Sequence, residues 1–196
     1  MIITISGRPG SGKSTVARIL AKKLGYRHYS MGDIRGRMAL ERGIDIDQFN
    51  SLAEKDPRID AETDEYAEKL GREKNNFVMD TRMGFRFIPH SLKIYLDVER
   101  KEASRRIFSD RKNRPDEPHY KSPAEAAAVM DARMESDRKR YMKYYGVDCY
   151  DRSRYDIVID TTKIRPGQVA EIIMRAIKER KKKRAISRQG SRSFWS

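Results

Sequence analysis

The stretch Ile2 to Thr15, IITISGRPGSGKST, limits the possible folds of this chain more than any other part of it. Four β-prone residues run into a turn that fits G-x-x-x-x-G-K-[ST], and the apolar helical pattern of Val16, Ile19, Leu20 and Leu24 follows at once. Strand, glycine-rich turn and helix in that order make a phosphate-binding loop rather than an ordinary turn. Gly7, Gly10 and Gly12 let the backbone turn its N–H groups inward as an anion nest, and the helix that follows adds its positive end. Lys13 is placed to reach the β- and γ-phosphates of a nucleotide, and Ser14 to set its hydroxyl on Mg²⁺.

The remaining elements follow from periodicity and punctuation. Tyr26 to Ser30 reads as a second strand, and Gly32 to Arg37 opens a helix with two arginines near its start. Helical segments broken near Gly43 and at Asp56-Pro57, with a further helix from Asp60, make residues 31–75 a small helical flap. Phe77 to Asp80 and Leu92 to Val98 read as central parallel strands, and Glu99 to Lys112 as a charged helix. The prolines of Asn113 to Pro118 exclude regular structure. Ser122-Pro123-Ala124-Glu125 supplies a cap, a first-turn proline and an acid, so a long helix should run to about Tyr145. Asp156 to Thr162 is the last strand, and Pro166 starts a helix with Val169, Ile172, Ile173, Ala176 and Ile177 on one face. Five strands alternating with helices predict an α/β fold: a parallel sheet covered on both faces, with ligands at the carboxyl ends of its strands. One domain over residues 1–178 accounts for this pattern, with a lid region at 111–145.

The net charge of +14, from 43 basic and 29 acidic residues, favours phosphate-bearing partners. Half of it lies in Lys178 to Ser196, where eight Lys or Arg face a single Glu. Residues 179–196 therefore read as a basic, disordered tail, for which solvation is the simpler role and RNA binding the alternative. A lone cysteine, Cys149, excludes an internal disulfide framework and fits a reducing cytoplasm. No apolar run is long enough for a membrane span, and the chain opens on a core strand rather than a signal peptide. His28, His90 and His119 lack metal-ligand spacing and read as surface or packing residues.

Phosphoryl transfer needs positioned cations, because charge accumulates on the oxygens around the moving group. Arg133, Asp137 and Arg140, at i, i+4 and i+7, share one face of the long helix beside an apolar stripe of Met130, Met134, Tyr141 and Tyr145. A catalytic lid has this pattern, and an exposed helix with charge pairs is the plainer alternative. Asp80 ends a strand where it could hold a Mg²⁺-bound water, and Arg82 could reach an acceptor phosphate. Asp60 and Asp64 share a helix face and could accept from a cytosine amine, although a solvated acidic turn is the expected role.

These residues resemble the nucleoside monophosphate kinases, most closely the cytidylate kinase family in its short form. The phosphate loop, Asp80-Thr81-Arg82-Met83-Gly84, the lid set Arg133, Asp137 and Arg140, and Val158 to Thr162 with Pro166 carry the resemblance, over about residues 1–178. It implies the phosphate-loop NTPase fold and transfer of the γ-phosphoryl of ATP to CMP or dCMP, with Mg²⁺ as cofactor. Gly7, Arg8, Pro9, Gly10, Ser11, Gly12, Lys13, Ser14 and Thr15 would bind ATP, and Ser14 and Asp80 would serve the metal. Lys13, Arg133 and Arg140 would neutralise the transferring group, with Asp137 orienting the lid arginines. Arg35, Asp80 and Arg82 would hold the acceptor. Arg37 competes with Arg35 for that role, because the family's usual arginine position is Gly36 here. Arg106 and Arg111 are further lid candidates. Met83 stands where the bacterial form has a base-reading acid. A cytoplasmic monomer is the expected state. Another small kinase of the class, acting on AMP, UMP or a non-nucleotide alcohol, is the alternative enzyme, and a nucleotide-gated RNA-binding protein is the alternative outside enzymes.

Overall fold

The computed structural model describes residues 1–110 and 120–190. The expectations for Arg111 and for the loop Asn113 to Pro118 lie outside these residues. The five strands are β1 (Ile2–Gly7), β2 (Arg27–Ser30), β3 (Phe77–Asp80), β4 (Leu92–Asp97) and β5 (Ile157–Asp160). They form one parallel sheet in the order β2-β3-β1-β4-β5, as the alternation of strands and helices predicts. β1 and β3 are buried along their whole length, which is why they read as continuous apolar runs.

Helix α1 (Lys13–Leu24) and helix α8 (Pro166–Gly190) cover one face of the sheet. Val16 and Leu20 of α1, with Val169 and Ile173 of α8, pack on Ile3, Ile5 and Ile94. On the other face Ala67 and Leu70 pack on Ile2, Phe77 and Met79. Those two residues belong to α4 (Pro57–Glu73), which forms the flap with α2 (Met31–Glu41) and α3 (Ile46–Ala53). Each flap helix begins where a side chain accepts from its first-turn N–H groups: Ser30 for α2, Asp45 for α3 and Asp56 for α4. Because Asp56 caps and Pro57 opens α4, the helix starts one turn earlier than the sequence suggests. Asp60 thereby falls inside the structure instead of at a solvated end.

Helix α5 (Gly84–Phe87) is a single turn after β3, and α6 (Arg100–Asp110) follows β4. The long helix α7 (Pro123–Tyr145) keeps its expected limits: Ser122 accepts from the Glu125 N–H, and Gly146 closes the helix at φ 66°. The basic segment beyond Lys178 continues α8 as helix to Gly190, although Ile177 is the last buried apolar side chain of that helix among those described. Its Lys- and Arg-rich make-up disfavours a buried core but not a helix, since both residues are good helix formers.

Candidate active site

The phosphate loop spans the carboxyl end of β1 and the start of α1. Gly7, Gly10 and Gly12 have φ of 142°, 74° and 85°, a region that side-chain-bearing residues rarely enter. A Cβ on Gly7 would lie 2.0 Å from the Leu96 carbonyl oxygen, and one on Gly10 2.7 Å from that of Ala103. The loop is therefore wedged between β4 and α6. Gly12 is the N-cap of α1 and supplies no side-chain acceptor, and no acid lies in the first turn. The N–H groups there are left for an anion. Ser11 Oγ is buried without a hydrogen-bond partner among the described residues, and Lys13 Nζ donates to the Arg8 carbonyl at 3.1 Å. Arg8 itself turns to Asp97, at 3.2 Å.

A cleft of about 980 Å³ opens from this loop. Lys13, Ser14, Thr15 and Arg18 form its floor, Arg37 stands on one side, and Thr162 to Pro166 on the other. Arg106 spans the cleft's edge. Its guanidinium donates to the carbonyls of Thr161 at 2.8 Å, Thr162 at 3.2 Å and Gly10 at 3.4 Å, and to Glu102 at 2.8 Å. It thus ties the phosphate loop to the loop after β5. Arg37 lines this cleft while Arg35 does not.

A second, narrower cavity of about 180 Å³ adjoins the first and shares Gly10, Lys13 and Ser14 with it. Its walls come from the flap (Arg35, Asn50, Asp64), from the end of β3 (Asp80, Arg82) and from α7 (Arg133, Asp137, Tyr141). Of the acceptor and lid residues singled out in the sequence, Arg35, Asp80, Arg82, Arg133 and Asp137 meet here, whereas Arg37, Arg106 and Arg140 do not line this cavity.

Asp80 is buried at the end of β3 and accepts three hydrogen bonds: from Ser14 Oγ at 3.1 Å, Ser30 Oγ at 3.1 Å and His28 Nε2 at 2.8 Å. His28 is consequently part of the site, not a packing residue. The period of a strand could have indicated it, because His28 and Ser30 share one side of β2 and Ser30 pairs in register with Asp80. Ser14 Oγ and Asp80 are two hard oxygen donors beside the phosphate loop, a set that fits Mg²⁺, which keeps several waters and needs few protein ligands.

Beneath this cavity lies a buried charge network. Asp60 is fully buried and accepts from Arg35 at 2.7 Å and from Arg140 at 2.5 and 2.6 Å. Arg140 also donates to Asp137 at 2.6 Å, and Asp137 accepts from Arg82 Nε at 2.8 Å and the Tyr150 hydroxyl at 2.7 Å. Burial alone would raise the Asp137 carboxyl, but the charges of Arg82 and Arg140 and the Tyr150 hydroxyl outweigh it and hold the group below the usual carboxylate range. Arg140 is only 2% exposed and lines neither cavity. Asp60 is here a fully buried ion-pair partner, which overturns the solvated acidic turn read from sequence. Arg133 sits differently: it pairs with Asp47 of α3, with Nη2 to Oδ2 at 2.9 Å, and its side chain keeps 13% of its exposure.

Cys149 is buried, and burial pushes its thiol up, so it is protonated and unreactive at neutral pH. Among the described residues no helix is long and apolar enough to cross a membrane.

A strand, phosphate loop and helix in a parallel sheet ordered 2-3-1-4-5, with a helical flap and an arginine-bearing helix over one end, define the phosphate-loop kinase fold. Among solved structures the chain is similar to shikimate kinase from Acinetobacter baumannii, with a TM-score of 0.56 and 20% identity over 92% of this chain and 94% of that one. The protein belongs to the cytidylate kinase-like family, whose pattern matches residues 2–163. It is 40% identical over 187 residues to a cytidylate kinase of Methanocella arvoryzae, covering 93% of this chain and 99% of that protein. A cytidylate kinase of Halobacterium salinarum is 38% identical over 179 residues, covering 90% and 89%.

Proposed function

We propose that this protein transfers the γ-phosphoryl of ATP to CMP or dCMP, with Mg²⁺ at Ser14 and Asp80. The observation that carries the reading is the pair of cavities meeting at Gly10, Lys13 and Ser14. A phosphoryl group passing between two nucleotides needs such a junction, with the large cleft as the ATP side and the small cavity as the acceptor side. The similarity to cytidylate kinases supports cytosine as the acceptor's base.

In this reading the bond from the γ-phosphorus to the bridging β-oxygen breaks as one to an acceptor phosphate oxygen forms. The acceptor is already an anion at neutral pH, so no general base is required. Lys13 is poised over the β- and γ-phosphates and releases the Arg8 carbonyl to reach them. Arg82 and Arg35 hold the acceptor phosphate, a choice between Arg35 and Arg37 supported by Arg35 alone lining the acceptor cavity. Arg133 leaves Asp47 to neutralise the transferring group. Asp137 holds Arg82 and Arg140, while Arg140, enclosed by Asp60 and Asp137, sets their geometry from beneath rather than touching phosphate. Ser14 and Asp80 would hold Mg²⁺, which would supply positive charge against the nucleotide's phosphates.

A coupled assay of ADP release across CMP, dCMP, UMP, AMP and GMP tests the function. Turnover highest with CMP or dCMP is the expected result, and preferential turnover of AMP or GMP refutes the base assignment.

A further inference from the structure

The acceptor cavity contains three carboxylates, and two of them are occupied. Asp80 is engaged by Ser14, Ser30 and His28, and Asp137 by Arg82, Arg140 and Tyr150. The third, Asp64, stands on α4 one turn beyond Asp60. Its Oδ2 accepts from the Tyr145 hydroxyl at 2.7 Å, and this is its one hydrogen bond among the described residues. The nearest arginines, Arg35 and Arg140, are committed to Asp60. Asp64 thus lines a ligand cavity with an Oδ1 that accepts no hydrogen bond from the described residues. Burial, with the charge of Asp60 adding to it, pushes this carboxyl up to about 7 against the pull of Tyr145 and the two arginines. A desolvated acceptor of this kind gains from any N–H that a ligand brings.

The cavity lining also divides by chemistry. Lys13, Arg35, Arg82 and Arg133 are cations suited to phosphates, whereas Ile46, Thr63, Asp64 and Tyr141 offer apolar, aromatic and acceptor surface suited to a base. Met83, the position at which the sequence resemblance places a base-reading acid, is 1% exposed and packed among Tyr95, Met134 and Tyr141, so it cannot serve.

Resting on the reading of this cavity as the acceptor site, we propose that Asp64, oriented by Tyr145, sets the base preference by accepting a hydrogen bond from the exocyclic amine of cytosine. Cytosine presents a donor, N4–H₂, where uracil presents the acceptor O4. Against the ionised carboxyl, the form a cytosine amine favours and the one that prevails above pH 7, the first makes a charge-assisted hydrogen bond and the second sets oxygen against oxygen.

The test is the ratio of kcat/KM for CMP to that for UMP in wild type, Asp64→Asn and Tyr145→Phe. Asn is close to isosteric and its amide can donate to O4 while its carbonyl still accepts from Tyr145. Asp64→Asn should lower the ratio by roughly tenfold or more, the discrimination typical of one good base contact, and leave the KM for ATP within about twofold. Tyr145→Phe, which leaves the carboxyl in place but unoriented, should lower the ratio by a smaller factor and keeps the test open if the Asn variant does not fold. A folded Asp64→Asn with the wild-type ratio overturns the assignment and leaves the acceptor site standing. Wild-type enzyme that phosphorylates no nucleoside monophosphate overturns both.

Discussion

Arg140 separates a structural from a catalytic use of the arginines on α7. Its Nη1 and Nη2 make hydrogen bonds of 2.5 to 2.6 Å to Asp60 and Asp137, and its side chain is 2% exposed beside carboxylates 0% and 8% exposed. Replacing it by Met keeps the volume and removes the charge. Asp60 then retains only Arg35, and Asp137 only Arg82 and Tyr150. Removing one partner of a buried ion pair costs about 3–5 kcal/mol, because a carboxylate is left under-compensated. For a domain of this size each kcal/mol moves Tm by about 2–4 °C, so Arg140→Met should melt roughly 6–20 °C below wild type. The comparison is Arg133→Ala, which loses a partly exposed pair to Asp47 worth about 1 kcal/mol or less but should reduce kcat by about 10²-fold. Melting followed by circular dichroism, with kcat measured well below both transitions, distinguishes the two. An Arg140→Met protein that melts within about 2 °C of wild type while losing 10²-fold in kcat would refute this reasoning and place that guanidinium on the phosphates.

Asp64 makes stability depend on pH in the opposite sense to an ordinary ion-paired acid. Its folded-state carboxyl is raised from 3.8 to about 7, so its favourable contribution is complete below about 4 and is lost as the pH rises through 7. Urea titrations should therefore show Asp64→Asn more stable than wild type at pH 8, with a flatter profile between pH 4 and 7. Ser14→Ala should raise the Mg²⁺ concentration for half-maximal activity by roughly tenfold or more, without moving Tm, because it removes one ligand of the proposed pair. Gly10→Ala forces a Cβ to 2.7 Å from the Ala103 carbonyl at φ 74°, so titration should find ATP binding weakened by an order of magnitude or more.

The sheet was legible because its signals are local. Phe77 to Asp80 is apolar without alternation because it lies between β1 and β2 with both faces covered, and the loop at Gly7 needs its glycines whatever surrounds it. The site was legible only as a set of residues. Spacing put Arg133, Asp137 and Arg140 on one helix face, but whether a guanidinium on that face meets phosphate or protein depends on what α4 presents opposite it. That partner, Asp60, lies 80 positions away in sequence, and no periodicity links the two. Arg133 and Arg140 look equivalent in the sequence; one faces a cavity and the other a buried carboxylate. His28 is different: the strand period sets it on the Ser30 side of β2, but only the pairing of β2 with β3 brings it to Asp80, 52 residues further on.

The pairing also bears on how a chain with 43 basic residues builds a cation-rich phosphate site without self-repulsion. Each arginine lining the acceptor cavity is met by a side chain from a different element: Arg35 on α2 by Asp60 and Asn50, Arg82 after β3 by Asp137, and Arg133 on α7 by Asp47. These contacts cross between flap, sheet and α7, so the carboxylates both neutralise the cations and fix the three elements against one another. They are not equivalent in burial. Asp60 and Asp137 are buried, whereas Asp47 keeps 31% of its side-chain exposure. A buried pair is costly to break and holds its geometry, while a partly hydrated one exchanges partners at small cost. Arrival of a second nucleotide's phosphates should therefore draw Arg133 away from Asp47 and leave Arg140 where it is. In this architecture the cation that moves is the one whose counter-ion water can replace.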